Sequence, residues 1–283
     1  MSRRRVTECS SSRDVRVCQA EGCFDDETFS RQARVPGFRP EALKKARIAI
    51  VGAGGIGSEV GRALARRGVG RLVLFDFDRV APSNLTRQLF YPQDLNQPKA
   101  FALARNLAHE STAPDFAAVG VNLAFDEAFK TGTQPDCDLY IVGVDRNVAR
   151  VDAARIGLAI GKPMIHIGLG RDASSLYVFV QTSRSTDPCW GDVFLDVVRQ
   201  VIDGRDNAPG CAPALIDCAQ VASGLAMYAV DSVLMQRPRA WNYRRISLNS
   251  FEEPEPGVLA KLHPRCPLHE ERRRQNKEGR VAL

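Results

Sequence analysis

An α/β fold, with a mostly parallel sheet, helices on both faces and an antiparallel C-terminal extension, is what this 283-residue chain predicts. Three observations predict it. ARIAIVGAG is a β-branched run ending in glycines, GIGSEVGRALARRGVG is an amphipathic helix pattern closed by Gly68 and Gly70, and RLVLFD is a second buried strand. That order, strand, Gly-rich turn, helix, strand, is the βαβ unit of a parallel sheet and is Rossmann-like.

The remaining elements follow the same alternation. Residues 1–26 are rich in Ser, Arg and Cys without periodicity and read as a disordered N-terminal extension. DETFSRQAR fits a short helix, and PGFRPEALKKA leads into the first core strand. PKAFALARNLAHE is helical, FAAVGVN and DLYIVGVD are strands, NVARVDAARIGLAIG is a helix and PMIHIGLG a strand. LYVFVQTS belongs to the antiparallel extension, Leu215 to Met235 to a long buried helix, and RRISLNS to a late strand. One domain over residues 27–270, with a C-terminal tail over 271–283, accounts for this pattern.

Composition narrows the function classes. Hydrophobic residues make up 44% and charged residues 25%, and no apolar run approaches the roughly 18 residues of a spanning segment. MSRRRVTECSSSRD has no apolar stretch after its basic residues, so it does not read as a secretory signal, and a cytoplasmic address with no membrane partner is expected. The net charge of +6 sits largely in Arg3 to Arg5, Arg66-Arg67 and Arg272 to Arg274. With little aromatic interleaving, these runs read as solvated surface and argue against nucleic acid. The eight cysteines, without a signal peptide, read as free, metal-binding or catalytic thiols.

Gly52, Gly54 and Gly57 form GxGxxG at a strand-to-helix junction, with Gly55 inside the turn. Such a turn brings backbone close to a phosphate and points helix amides at it. Asp76 follows Gly57 by 19 residues, where an acid bonds ribose hydroxyls, and to this point NAD and ATP fit equally. Asn84, Arg87, Gln88 and Lys99 then gather two cations and two amides beside the same site. A triphosphate, whose pyrophosphate must be stabilised as it leaves, gives that cluster a task. Asp145 ends a strand at the carboxyl edge, where it could hold Mg²⁺ or cap the next helix.

VGAGGIGS, DFDRVAPSNLTRQ and NQPKA, in this order and spacing, resemble the ThiF/MoeB/HesA family of ubiquitin-activating-like adenylyltransferases from about Phe29 to Asp145, and more loosely to His269. The resemblance implies ATP-dependent adenylation of the C-terminal glycine carboxylate of a ubiquitin-like or sulfur-carrier protein. It implies nucleotide-binding roles for Gly52, Gly54, Gly55, Gly57, Asp76, Asp78, Asn84 and Gln88, with Arg87 and Lys99 at the phosphates and Asp145 on Mg²⁺. Arg31, in SRQ, would reach a partner subunit's ATP, which implies a homodimer. The chain departs from the family at Asp145-Arg146-Asn147, where Asp-Asn is usual.

Cys211 precedes the long helix much as a thioester-forming cysteine does in relatives, and nucleophilic and structural readings both stand there. Relatives often bind zinc through two CxxC pairs. Here the matching stretches are Cys189-Trp190-Gly191-Asp192 and Cys266-Pro267-Leu268-His269, so a mixed zinc site and an apolar replacement are both open. Cys218 and His166 read as core, His166 as a hydrogen-bonded one. The leading expectation is the adenylyltransferase. An NAD(P)-dependent dehydrogenase, a non-catalytic partner subunit and a family member acting on a modified tRNA base are the alternatives.

Overall fold

The computed structural model describes residues 5–10, 12–21, 26–133, 135–170, 173–184, 186–206, 214–249 and 257–278. The chain opens with a hairpin, β1 (Arg5–Ser10) and β2 (Val15–Glu21), followed by helices α1 (Asp26–Ala33) and α2 (Pro40–Lys45). The βαβ unit is β3 (Arg47–Val51), α3 (Gly55–Arg66) and β4 (Arg71–Phe75). A long connection with two 3-10 turns leads to α4 (Lys99–Glu110), β5 (Asp115–Val121), α5 (Phe125–Lys130) and β6 (Leu139–Val142). Then come α6 (Asn147–Ile160), β7 (Met164–Leu169), β8 (Ser175–Gln181), α7 (Trp190–Val193) and α8 (Leu195–Ile202). The chain closes with α9 (Ile216–Met235), β9 (Tyr243–Ser247) and α10 (Pro267–Glu278).

The nine strands among the described residues join one sheet in the order β1-β2-β5-β4-β3-β6-β7-β8-β9. Its centre, β5-β4-β3-β6-β7, is parallel, and β8 and β9 extend it antiparallel as expected. Alternation along the central strands sorts side chains by face. Ile48, Ile50, Leu72 and Leu74 meet Val60 and Leu64 of α3, Leu103 of α4 and Ala226 of α9 in one core layer. Ala49, Val51, Val73 and Phe75 meet Phe125 of α5 and Ala153 and Ile156 of α6 in the other. Helices thus cover both faces.

Strands β1 and β2 correct the expectation of disorder over residues 1–26 for its described residues. β2 pairs antiparallel with β5, from Val15 opposite Val121 to Glu21 opposite Asp115, and β1 pairs outside it. Cys18 and Ala20 are fully buried. Arg16, two residues before Cys18 and so on the same face, lays its guanidinium 4.7 Å from the Phe101 ring centroid, a cation-π contact that an apolar pattern does not register. At the other end α10 runs across the expected boundary at residue 270.

Against the expectation that no apolar run approaches spanning length, α9 is long and apolar enough to cross a membrane by length and composition, with a mean hydropathy of 1.3. Burial explains that apolarity: Cys218, Ala222, Ala226 and Ala229 are fully buried in the core under the sheet. Cys218 is core, as expected. Its one deep charge, Asp231, pairs with Arg67 at 2.6 Å and Arg237 at 2.9 Å, tying α9 to the end of α3.

Candidate functional site

The carboxyl edge of the parallel strands opens into a cavity of about 620 Å³, where a doubly wound sheet places its ligands. The first turn is shaped by glycine. Gly52 has φ +96°, and a Cβ on Gly57 would meet the Gly52 carbonyl oxygen at 1.9 Å, so β3 and α3 approach as closely as they do only with glycine there. Gly54 and Gly55 line the cavity at the N-terminus of α3, with Gly57 packed beneath them.

Asp76, at the end of β4, is held facing this turn. Its Oδ2 accepts the Ala53 N–H and its Oδ1 the Asp78 N–H, both at 2.8 Å. Burial raises its pKa from 3.8 to about 6, against the lowering charge of Lys99. The connection that follows carries the rest of the cluster. Asn84 caps its own turn through Oδ1 and the Ala81 N–H at 2.9 Å. Arg87 donates to the Ser83 carbonyl at 2.6 Å, and Lys99 Nζ pairs with Asp78 Oδ2 at 2.9 Å. Gln88 Oε1 is buried without a partner among the described residues.

One buried acid fixes this connection. Asp94, fully buried, accepts Asn106 Nδ2 at 2.8 Å and the Tyr91 N–H at 2.8 Å, and pairs with Arg105 of α4. The hydrogen bonds from Val80 to Gln97 at 2.9 Å and from Asn96 to Val80 at 3.0 Å close the loop on itself. A segment without long helix or strand is thereby locked onto α4.

Asp145 lines the cavity from the opposite side, exposed and with no ion pair among the described residues. The N-cap of α6 is Arg146 with no side-chain cap, so the helix-capping alternative for Asp145 does not hold. Asn147 donates to Asp206 at 2.9 Å, which ties the start of α6 to the segment after α8.

Gly52, Gly54, Gly55, Asp76, Asp78, Asn84, Arg87, Gln88, Lys99 and Asp145 therefore share one cavity. Arg31, exposed on α1, is not part of its lining. Cys211 lies outside the described residues. Sequence reasoning missed Arg150, Tyr177, Trp190 and Phe194, which form the far wall. They come from α6, β8, α7 and the residue joining α7 to α8, so no single local motif announces them.

The second cluster is real as a cluster. The ligand atoms of Cys189, Asp192, Cys266 and His269 all lie within 4.8 Å of one another. The two sulfurs are 3.7 Å apart, close to the ~3.8 Å edge of a tetrahedron with Zn–S near 2.3 Å. Asp192 Oδ2 lies 2.8 Å from His269 Nε2 and accepts the Cys189 N–H at 2.7 Å, while Oδ1 accepts the His263 N–H at 2.8 Å. The donors suit a borderline divalent ion in type and in thiol spacing, and the Asp-His pair must open slightly to share it. The hydrogen bond between the two thiols draws the Cys266 thiol down and, with burial, pushes Cys189 up.

His166 corrects another expectation. It is fully buried between Phe179 and Trp190, yet both ring nitrogens lack partners among the described residues. Burial, and then the charge of Arg150, lower its pKa to about 3, so it stays neutral.

Asp76 makes the site testable by pH. Its folded pKa near 6 lies above the ordinary 3.8, so the folded chain holds this proton more tightly than the unfolded one. Its contribution to stability is fully present below about pH 3.8 and is lost as pH rises through about 6. Asp76→Asn does not titrate. The melting temperature of the variant minus that of the native protein is expected to fall on acidification from pH 7 to 4.5, and a constant difference would contradict the assignment.

The ThiF family model matches residues 29–268. The chain is 26% identical over 239 residues to ubiquitin-like modifier-activating enzyme 5 of Oryza sativa subsp. japonica, covering 80% of this chain and 56% of that protein. It therefore spans about half the length of that relative. It is 26% identical over 256 residues to the sulfur carrier protein adenylyltransferase of Thermus thermophilus, covering 86% and 90%. The solved structure of Escherichia coli MccB with succinimide has the same fold, with a TM-score of 0.68 at 19% identity over 86% of this chain and 74% of that one. With its glycine turn, its DFDRVAPSNLTRQ connection and most of its length matched by one family model, this chain belongs to the ThiF family.

Proposed function

We propose that this chain is an adenylyltransferase that uses MgATP to activate the C-terminal glycine carboxylate of a small ubiquitin-like or sulfur-carrier protein. The observation that carries the reading is one shared cavity in which a phosphate-binding glycine turn, a ribose acid, two cations and an aspartate with no ion pair among the described residues converge. The names of the sulfur-carrier and ubiquitin-like relatives support it. The dehydrogenase reading accounts for Gly52, Gly54 and Asp76 and leaves Arg87 and Lys99 without a task.

The residues divide the work by charge. Asp76 holds the ribose, and the amides of the α3 N-terminus face the phosphates. Arg87 and Lys99 neutralise the triphosphate, Lys99 exchanging Asp78 for phosphate oxygen as the nucleotide enters. Mg²⁺ at Asp145 would supply further charge neutralisation on the phosphates. The substrate carboxylate is ionised at neutral pH and needs no general base, so the chain chiefly positions and neutralises. Arg31, exposed on α1, serves the site of a second copy in a homodimer, and Cys211 accepts the acyl group as a thioester.

Exchange of labelled pyrophosphate into ATP, supported by a glycine-ended carrier, tests this reading. Arg87→Ala and Asp145→Ala are each expected to slow exchange by about 100-fold or more while the fold is kept. No carrier-dependent exchange with any glycine-ended carrier would overturn it.

Zinc at Cys189, Asp192, Cys266 and His269 has a structural part in this proposal, joining α7 to the start of α10 away from the chemistry. Purified protein is expected to carry close to one equivalent of zinc, and chelation to lower its melting temperature. A metal-free preparation of undiminished stability would show that the hydrogen-bonded cluster suffices.

A further inference from the structure

The far wall of the cavity, where α6, β8 and α7 meet, carries a cation with no counter-charge among the described residues. Arg150, in α6, is 8% exposed and lines the cavity. Its Nη1 donates to the Ile167 carbonyl and to Tyr177 Oη, both at 2.9 Å. Trp190 Nε1 donates to the same Tyr177 oxygen at 3.1 Å, so the tyrosine is held from two sides. Among the described residues no carboxylate pairs with Arg150, and none accepts from its other nitrogens. The nearby imidazole of His166 is neutral and offers no charge in return.

Burying a guanidinium without a counter-charge is costly even with Nη1 hydrogen-bonded and the group 5.9 Å from the Tyr177 ring centroid, and fixing that nitrogen leaves the rest of a planar fork set for an oxygen acceptor. Arg150 stands five residues beyond Asp145, on the helix whose N-terminus faces the same cavity. Resting on the adenylyltransferase reading, we propose that Arg150 binds the substrate's terminal carboxylate through the oxygen that does not attack. The ligand class is a peptide tail ending in a free carboxylate.

In the reaction the other carboxylate oxygen forms a bond to the α-phosphorus. The bond from that phosphorus to the bridging oxygen breaks, and pyrophosphate leaves with the electron pair. No proton moves. The oxygen on Arg150 becomes the carbonyl oxygen of the acyl adenylate and keeps its hydrogen bond. Arg150 thereby chooses which carboxylate oxygen attacks and holds the product against hydrolysis.

The test uses two probes, AMP and 5′-O-(N-glycylglycylsulfamoyl)adenosine, a stable mimic of a glycylglycyl adenylate, titrated by calorimetry. The native protein is expected to prefer the mimic by at least about tenfold, as a bound acyl group requires. Arg150→Ala is expected to weaken the mimic by about 10- to 100-fold, the range of a charge-assisted hydrogen bond, and AMP by no more than about twofold. Arg150→Lys is expected to fall between. Undiminished preference in Arg150→Ala overturns the proposal and leaves adenylation standing. Equal losses for both probes make Arg150 a purely structural residue and also overturn it. A native protein without preference for the mimic overturns the adenylation reading itself.

Discussion

The site depends on a carboxylate that never meets substrate. Asp94 is fully buried in the connection from β4 to α4 and gathers Arg105, Asn106 and the Tyr91 N–H onto itself. That connection has only two short 3-10 turns, so its own backbone cannot hold Asn84, Arg87 and Gln88 in place. A charge-paired, hydrogen-bonded anchor in low dielectric can. Cations placed before the nucleotide arrives need little rearrangement, and this preorganisation is how fixed charge serves phosphoryl chemistry. Within this connection Gln88 Oε1 is buried without a partner among the described residues, an acceptor open to a ligand.

A second constraint shapes the opposite wall. Cys189, Asp192, Cys266 and His269 bind the start of α7 to the start of α10. Trp190, between Cys189 and Asp192, is thereby set against Tyr177, and Tyr177 against Arg150. The cluster that resemblance suggested as a zinc site thus also sets the position of a wall residue, whatever fills it. Pairing these two anchors, one on each side of the cavity, explains how loops and helices rather than sheet strands carry most of the polar groups.

What could be read from the sequence was what local backbone chemistry dictates. The glycine turn requires glycine at Gly52 and Gly57, so its spacing announces it, and Asp76 follows at the end of a strand whose apolar run is unmistakable. The central strands declared themselves because both faces are buried. Features made by contact across the fold were silent. β2 was hidden because an arginine, Arg16, stands on its inward face, held over the Phe101 ring and paired with Glu8 of β1 at 3.4 Å. Arg150, Tyr177 and Trp190 meet only when α6, β8 and α7 pack together. Asp145 looked equally able to cap a helix or face a ligand, and only the backbone at Arg146 separates the two.

The central claim is that the connection after Asp76 selects a triphosphate over a dinucleotide. Calorimetric titration of the same preparation with MgATP and with NAD tests it most directly. The account predicts that MgATP binds at least about tenfold more tightly than NAD, a difference of about 1.4 kcal/mol. NAD binding as tight as, or tighter than, MgATP would contradict it.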